Sequence, residues 1–545
     1  MNNIKSLFRT ITFLTLLYIC APVTIGAQSY QWCVTTTAPK SDETNGKPEA
    51  FMWIPDTCTH VNAVVFSQQN MTEETIFNSP KFRDTCSRLG FAIVWVAPYF
   101  EQKWEGGTGC NRIFSSMMDS LAAVSGYGEL STAPIVPVGH SAMATMPWNF
   151  AAFNPDRTLA IISYHGDAPR TNLCGYGREN VEWGRTRNID GIPGLMIEGE
   201  WEWWEARVNP ALSFRMKYPD SCISFLCDTG HGHFDATEQS INYICRFLDK
   251  VAKARLTPSG MKKLDPNDGY FLYRWDKDEP LSAYTPLQGV GHGASERDIF
   301  DFQKHTRDCF WYIDKEMAEL TRDIYATSLG KKNQYIAYTQ DGKLLNYNPK
   351  LHAGTIIQPR FKADGVTFNI GAQFTDSTRT VLTDKHSAKP IRISVINGPC
   401  VQVNDTTFRF EEYRIGMSNK RRSTDIWLQA ISESDGTYKG TAQQLNIHSP
   451  YRLTGAKEQV ITFKPVSDVS RKTSSIRLKA SSTSGRRVRF YVKYGPGHVD
   501  GNRLIFEKLP PKAKLPVKIC AVAWQYGVAG DWNTAENAER TFLIK

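Results

Sequence analysis

The stretch that decides the fold reads Ile-Val-Pro-Val-Gly-His-Ser-Ala-Met-Ala-Thr-Met-Pro, from Ile135 to Pro147. Its β-branched first part leads into Gly139-His140-Ser141-Ala142, and small and apolar residues follow. This pattern predicts a strand, a sharp turn and a helix, with Ser141 at the apex of the turn. Small neighbours let such a serine adopt a strained backbone conformation that exposes its Oγ. The positive end of the following helix would face the place where an oxyanion forms.

The turn departs from the pattern Gly-x-Ser-x-Gly at one position, because Met143 stands where the second glycine is expected. The position can hold a larger residue if the following helix packs less tightly. Ser141 is therefore a candidate nucleophile, and the alternative is an ordinary serine that caps the start of a helix.

Short apolar runs alternate with helical segments over the first half of the chain, and each run is followed by a polar cluster. This alternation predicts a mainly parallel central sheet with helices on both faces. In such sheets the functional groups gather where the strands end. The predicted strands span residues 63–66, 91–96, 135–138, 159–163, 194–198 and 223–226, and the predicted helices span residues 81–89, 112–124 and 240–254. A further helix is predicted over residues 311–326, beyond this alternating part.

A serine hydroxyl needs a base to take its proton and a carboxylate to orient that base. His233 is the candidate base, with His231 as the alternative in the same loop. Glu202 is the candidate acid, with Glu200 and Asp167 as alternatives. A metal site at the His-x-His pair has no further ligand cluster to support it, so neither a metal nor another cofactor is expected.

An oxyanion needs two hydrogen-bond donors in the same turn region. The backbone N–H of Ala142 is the first candidate. The second is expected in the loop after the first core strand, near Gln68 or Gln69.

Two segments carry a resemblance to a known family. Gly232-His233-Phe234-Asp235 resembles the ending found after the last core strand of many esterases, and residues 192–202 resemble the strand and turn that carry the acid. Residues 50–250 are thus similar to α/β-hydrolase serine esterases. The whole layout resembles secreted carbohydrate esterases that gut bacteria use on plant polysaccharides, and most of all the α/β-hydrolase type of pectin methylesterase.

The predicted organisation has five parts: a signal peptide (1–27), the α/β-hydrolase domain (28–255), a subdomain packed on it (256–345), a β-rich domain (346–462) and an immunoglobulin- or fibronectin-like sandwich (463–545). The signal peptide rests on Lys5 and Arg9 before an apolar run, and on small residues before Gln28. It predicts export to the periplasm, the cell surface or the medium. Lipoprotein anchoring at Cys20 is the alternative. No later stretch is apolar enough for a membrane span.

Removing Lys5 and Arg9 with the signal peptide changes the formal net charge from +9 to +7. This favours an anionic partner such as an acidic polysaccharide, although solubility alone would explain it. No nucleic-acid-binding motif is present. Eleven cysteines remain after Cys20 is removed, and their pairing does not follow from the sequence.

Several residues near the predicted site could bind a sugar. The tryptophans beside the acid could stack on sugar rings, or they could belong to the core. Arginines in the segment between two strand ends could pair with uronic-acid carboxylates, or be solvated only. The tryptophans are Trp201, Trp203 and Trp204, the arginines are Arg178, Arg185 and Arg187, and Lys103 and Trp104 come from another loop.

The sequence therefore predicts a secreted serine esterase that acts on plant cell-wall polysaccharide, with methyl esters of pectic galacturonic acid as the first choice. An acetylesterase or feruloylesterase acting on plant glycans is one alternative. A carbohydrate-binding or adhesion protein without catalytic activity is another.

Overall fold

The computed structural model describes residues 29–171, 179–202, 204–275, 287–288, 306, 308–351, 353–420 and 422–545, and the side chains of Trp204, Leu287 and Gln288 are not among them. The predicted signal peptide therefore lies outside the described residues. No helix in these ranges combines the length and the apolar character that crossing a membrane requires.

A central sheet dominates the first part of the described chain. Its strands are β1 (Trp32–Thr35), β2 (Glu49–Trp53), β3 (Ala63–Gln68), β4 (Phe91–Ala97), β5 (Ile135–His140), β6 (Ile161–Tyr164), β7 (Pro193–Gly199) and β8 (Cys222–Asp228). Their order is β1-β2-β4-β3-β5-β6-β7-β8. The neighbours from β4 to β8 are parallel, whereas β2 is antiparallel to β1 and β4. β3 to β8 are buried along their whole length, as expected of strands covered on both faces.

Helices cover both faces of this sheet. They are α1 (Thr72–Asn78), α2 (Pro80–Leu89), α3 (Cys110–Ser125), α4 (Thr145–Phe153), α5 (Trp204–Lys217) and α6 (Glu238–Arg255). Phe82 of α2 and Leu248 of α6 are buried in the core on one face, and Phe114 and Leu121 of α3 are buried in the core on the other. The strand order and the two helical layers confirm the predicted α/β-hydrolase fold.

The predicted strands agree with the observed ones to within a few residues, but the helix predicted over 311–326 begins too early. Residues Cys309–Tyr312 form a buried strand, β13, and the helix α7 spans Lys315–Ala326. The side chain of Asp314 accepts a hydrogen bond from the Met317 N–H at 2.9 Å and so caps the helix there. The short helix α1 and the helix α5 were not predicted.

Residues beyond α6 form smaller sheets. Between the central sheet and α7 lie β9 (Leu256–Thr257), β10 (Gly260–Met261), β11 (Tyr270–Tyr273), β12 (Leu287–Gln288) and β13. A β-rich region follows with β14 (Tyr335–Gln340), β15 (Lys343–Leu344), β16 (Ile356–Ile357), β17 (Thr367–Asn369), β18 (Gly371–Thr375), β19 (Arg392–Asn397), β20 (Cys400–Asn404), β21 (Thr407–Phe410), β22 (Asp425–Ser432) and β23 (Thr441–His448). β14 pairs with β18 across the predicted boundary at 345/346, so this region begins no later than Tyr335.

The last part of the chain contains β24 (Ile461–Phe463), β25 (Ser475–Arg477), β26 (Ala480–Ser482), β27 (Arg489–Tyr494), β28 (Gly497–Asp500), β29 (Arg503–Phe506), β30 (Val517–Trp524) and β31 (Ala538–Ile544). The predicted boundary at 462/463 falls inside β24. β30 is buried on both faces: Ile519 and Ala521 join the apolar cluster shared with α3, and Val522 and Trp524 join the core of the β-rich region. The C-terminal part is therefore packed against both preceding parts.

Candidate active site

Ser141 lies at the turn between β5 and α4. Its φ is 54°, in the left-handed region that non-glycine residues seldom occupy, and its side chain is half-buried. A Cβ on Gly139 would lie 2.2 Å from the Met143 carbonyl oxygen, so the turn closes only with glycine there. The backbone strain and the close packing match the strand–turn–helix geometry that exposes a nucleophilic serine.

Position 143 lacks the expected glycine, and a glycine outside the turn provides the space needed there. Met143 is buried in the apolar cluster shared with α3. The tight contact lies one residue later, where a Cβ on Gly166 would be 1.9 Å from the Cβ of Ala144. Gly166 follows β6, the strand beside β5, and provides the space that the usual second glycine would provide.

Ser141, His233 and Glu202 form a continuous chain of contacts. The Ser141 Oγ lies 2.6 Å from the Nε2 of His233. The Nδ1 of His233 forms a short hydrogen bond with the Oε2 of Glu202. The structure thus brings together the three side chains selected from the sequence, although they come from three loops far apart in the chain.

The alternative residues have other partners. The Nδ1 of His231 lies 3.0 Å from the Oδ2 of Asp235. Glu200 accepts the N–H of Gly230 at 2.8 Å and pairs with the Lys439 Nζ at 2.8 Å. Asp167 accepts a hydrogen bond from the Thr145 hydroxyl at 3.0 Å.

Glu202 is surrounded by donors. Its Oε1 accepts the Gly199 N–H at 2.6 Å and lies 2.7 Å from the Nδ1 of His165. Its Oε2 accepts the Arg207 guanidinium at 2.6 Å in addition to the His233 bond. Burial alone would raise the pKa of Glu202, but His165 and His233 outweigh burial and hold the pKa well below its usual value. Glu202 is therefore a carboxylate, as an acid that orients an imidazole must be.

His165 and Arg207 were not selected from the sequence. His165 follows β6 and has a φ of 47°. The only sequence signal for it was the polar cluster after that strand. Arg207 lies in α5, which was not predicted, and also donates to the Oε2 of Glu198 at 3.0 Å. Burial, with Glu202 close by, raises the pKa of Glu198 well above its usual value.

The surroundings of His233 favour its neutral form. Burial lowers its pKa to about 4, and the charges of Arg207 and His165 act in the same direction against the pull of Glu202. The pKa of His165 is instead raised, because the attraction of Glu202 exceeds the cost of burial. His233 is thus unprotonated at neutral pH and able to accept a proton.

The expected oxyanion donors need a correction. Ala142 directly follows Ser141 at the start of the helical turn, where N–H groups lack intrahelical acceptors. Gln69 donates its backbone N–H to the Val96 carbonyl at 2.7 Å. The side chain of Gln68 is bonded to the backbone of Phe100 and Glu101. These glutamines therefore join β3 to β4 and its following loop rather than facing an oxyanion.

The next residue, Asn70, contacts the strand that carries Ser141. Its Nδ2 donates to the carbonyl of His140, the residue before Ser141, at 2.8 Å. The N–H of His140 donates to Glu73 at 2.8 Å, and so does that of Met71 at 2.7 Å. The loop after β3 is thereby tied to the strand that carries the serine.

The structure places the predicted sugar-binding residues in different surroundings. Trp201 is half-buried beside the acid loop, and Arg185 is exposed. Trp104 is buried against Phe66 and Phe150 and belongs to the core, which corrects its selection as a substrate residue. Trp203, Arg178 and the side chain of Trp204 lie outside the described residues. The guanidinium of Arg187 lies over the ring of Phe153, and the Lys103 Nζ donates to the Glu179 carbonyl.

Among the residues that the structure describes, two groups of side chains could hold a metal ion, namely His165 with Glu202 and His233, and His165 with Asp228 and Asp235. The first group coincides with the contacts described above. In the second, Asp228 and Asp235 outweigh burial and raise the pKa of His231 to about 9, so a protonated imidazole already balances part of their charge.

Comparisons with known proteins find similar chains among solved structures. No family model and no curated protein matches the chain. Among solved structures, an S-formylglutathione hydrolase from Agrobacterium tumefaciens is 13% identical, with a TM-score of 0.30, over 40% of this chain and 94% of that one. Est1E from Butyrivibrio proteoclasticus is 13% identical (TM-score 0.28, 40% and 100%), and a hyperthermophilic esterase from the archaeon Pyrobaculum calidifontis is 13% identical (TM-score 0.30, 42% and 88%).

Proposed function

We propose that this protein is an exported serine esterase that removes methyl esters from pectic galacturonic acid. The observation that carries the proposal is the contact between the Ser141 Oγ and the His233 Nε2, with Glu202 behind the imidazole. This is the arrangement in which a base activates a hydroxyl and a carboxylate orients the base. Export rests on the sequence of residues 1–27.

In the first half of the proposed reaction, the Ser141 Oγ bonds to the ester carbonyl carbon while its proton passes to the Nε2 of His233. The carbonyl oxygen becomes an oxyanion, which the N–H groups of Ala142 and, we propose, Asn70 stabilise. The carbon–oxygen bond to the methoxy group then breaks. Methanol leaves with the proton from His233, and the galacturonyl group remains on Ser141.

In the second half, a water molecule gives a proton to His233 and attacks the acyl carbon. The bond to Ser141 breaks, the Oγ takes the proton back, and a galacturonic acid is released. Glu202 remains ionised throughout, because its donors stabilise the carboxylate.

The substrate class is supported by charge and by Trp201 and Arg185. Without residues 1–27 the chain has a formal charge of +7, which suits a polyanion. The exposed Arg185 could pair with a free uronate next to the reacting ester, and the half-buried Trp201 could pack on a sugar ring.

A fluorophosphonate probe tests the chemistry. We expect it to label the full-length protein at Ser141 and expect Ser141→Ala to lose the label, with kcat on p-nitrophenyl acetate falling roughly a millionfold. Ser115→Ala, a change at an exposed serine of α3, is the matched control and should keep both. An unlabelled wild-type protein without esterase activity would instead indicate a binding or adhesion protein.

The released product tests the substrate. Methyl-esterified pectin should yield methanol, and the yield should depend on Ser141. Release of acetate or ferulate from plant glycans without methanol release would overturn the pectin assignment and retain the esterase.

A further inference from the structure

One sheet of the β-rich region has two faces of different chemistry. In β22, Ile426, Leu428 and Ala430 point into the core of that region. The alternate residues of β19, β22 and β23 place mostly polar side chains on the opposite face of the sheet. The strand register aligns these side chains in two rows across the sheet. We call this the amide face; it consists of Asn397, Trp427 and Asn446 in one row and Ser394, Gln429 and Gln444 in the other.

The amide face packs against the loop that carries the candidate base. The Gln444 Nε2 donates to the Oδ2 of Asp235 at 2.9 Å. Gln429 bonds both the N–H and the carbonyl of Ala236 at 3.3 Å. These uncharged side chains bind the loop without adding a titrating group beside His233.

The same face also reaches the loop after β3. The Asn397 Nδ2 donates to the carbonyl of Met71, the residue after Asn70. The hydroxyl of Thr75 donates to the carbonyl of Ile396. One sheet from outside the hydrolase domain thus contacts the loops on two sides of Ser141.

Trp427 lies between these two contacts. Its ring centroid is 4.7 Å from that of Phe234, and the Phe234 centroid is 4.5 Å from that of His233. Its partner across the strands, Asn397, holds the loop on the other side. Phe234 is buried, whereas Trp427 is half-buried and keeps part of its surface exposed to solvent.

We infer that the β-rich region forms one wall of the substrate cleft and that Trp427 packs on a sugar ring of the substrate beside the reacting ester. An indole face provides a large, rigid apolar surface for such a ring. The inference rests on the proposed function and deepens it, since it assigns part of the glycan recognition to a residue outside the hydrolase domain.

The ratio of two rates tests this role. In the full-length protein, kcat/KM is measured with p-nitrophenyl acetate and with methyl-esterified trigalacturonate, for wild type, Trp427→Ala and Trp427→Phe. We expect the ratio of the sugar-ester value to the small-ester value to fall at least tenfold in Trp427→Ala, about 1.4 kcal/mol, mainly through KM. Trp427→Phe should lose less.

Two control variants separate contact from positioning. Gln444→Leu should lower both rates by a similar factor and leave the ratio unchanged, because it acts through Asp235 on the histidine loop. Trp532→Ala, at a half-buried tryptophan of the C-terminal part, should change neither rate. An unchanged ratio in Trp427→Ala, even with both rates reduced, would overturn the inference and leave Trp427 only a packing role against Phe234.

A binding measurement keeps this test independent of the proposed reaction. Methyl-esterified oligogalacturonide is titrated calorimetrically into Ser141→Ala and into Ser141→Ala with Trp427→Ala. We expect Kd to be at least tenfold higher in the double variant. Equal affinities, or no binding to either protein, would overturn the inference. Failure of the proposed function would be recognised separately, because the wild-type protein would then lack Ser141-dependent activity on the small ester.

Discussion

At the scale of single residues, the distinctive feature is that one carboxylate serves two histidines. The Oε2 of Glu202 bonds to His233 and its Oε1 bonds to His165, each through an Nδ1. His165 is fully buried, and the attraction of Glu202 raises its pKa, which favours a positive charge on its imidazole close to His233. A buried positive charge opposes protonation of the neighbouring imidazole.

Replacing His165 by glutamine should therefore change the pH dependence of catalysis. Without the charge of His165, the pKa of His233 should rise from its value of about 4. The acidic limb of the kcat/KM profile should then move to higher pH, because the base must be unprotonated to act. Profiles with p-nitrophenyl acetate, recorded where circular dichroism shows a folded protein, measure this shift.

The exposed His60 supplies the control for this measurement, since His60→Gln should leave the limb in place. A limb that stays fixed or moves to lower pH in His165→Gln would mean that His165 is not the charge that sets the basicity of His233.

Residue identity could be predicted only where local sequence carried a pattern. Ser141 follows a strand and precedes small residues, and His233 and Glu202 follow strands in familiar short motifs. His165 and Arg207 reach Glu202 from β6 and α5 through contacts that no spacing in the sequence indicates. The choice of Gln68 and Gln69 as oxyanion donors was wrong. Whether a backbone N–H group is already used depends on how the strands pair, which the sequence does not show.

At the scale of elements, the tight turn at Ser141 depends on space supplied by the neighbouring strand. β5 and β6 are parallel neighbours, and Gly166 just beyond β6 faces Ala144 before α4. The φ of Gly166 is not in the left-handed region. A side chain at position 166 is therefore excluded by the contact with Ala144 and not by the backbone conformation.

Gly166→Ala should therefore lower both activity and Tm, because the added methyl group would lie 1.9 Å from the Cβ of Ala144. The second change Ala144→Gly removes that Cβ and should restore most of the loss. Ala144→Gly alone should cost about 1 kcal/mol or less, as for glycine near a helix start. Kinetics and thermal unfolding of the three variants measure the coupling, and losses that simply add in the double variant would contradict it.

Element prediction succeeded where apolar runs were long and bounded, as in β3, β4 and β8. It failed at Cys309–Tyr312, because a short aromatic run before a helix gives no periodic signal, and pairing with β11 decides its conformation. α5 was missed because it contains Pro210 and lacks a clear apolar stripe.

At the scale of the whole molecule, the C-terminal parts are integrated with the hydrolase domain. β30 is buried between two cores, and the amide face contacts loops more than 190 residues away in sequence. The sequence predicts strands in these parts but does not show which loops they cover. A strand with one polar face has the same sequence pattern whether that face meets solvent or another part of the protein.

The junction between the β-rich region and the C-terminal part contains a buried acid. The Glu412 Oε2 accepts the Asn537 Nδ2 at 2.6 Å, whereas its Oε1 is buried without a hydrogen-bond partner among the described residues. Burial raises its pKa to about 8 from an ordinary value of 4.5. The folded protein therefore keeps a proton on Glu412 at neutral pH.

Glu412→Gln should reveal this junction through the pH dependence of stability. Between pH 4.5 and about 8 the unfolded chain ionises Glu412 while the folded chain holds the proton, so this group's stabilisation is complete at low pH and is lost as the pH rises through about 8. Glutamine keeps the acceptor and cannot ionise, so the Tm of the variant relative to wild type should increase from about pH 5 to about pH 9. Glu433→Gln, at an exposed acid of the same region, should show no such trend. A Tm difference for Glu412→Gln that stays constant or shrinks over this range would mean that Glu412 is already ionised in the folded protein and that another group relieves its charge at the junction.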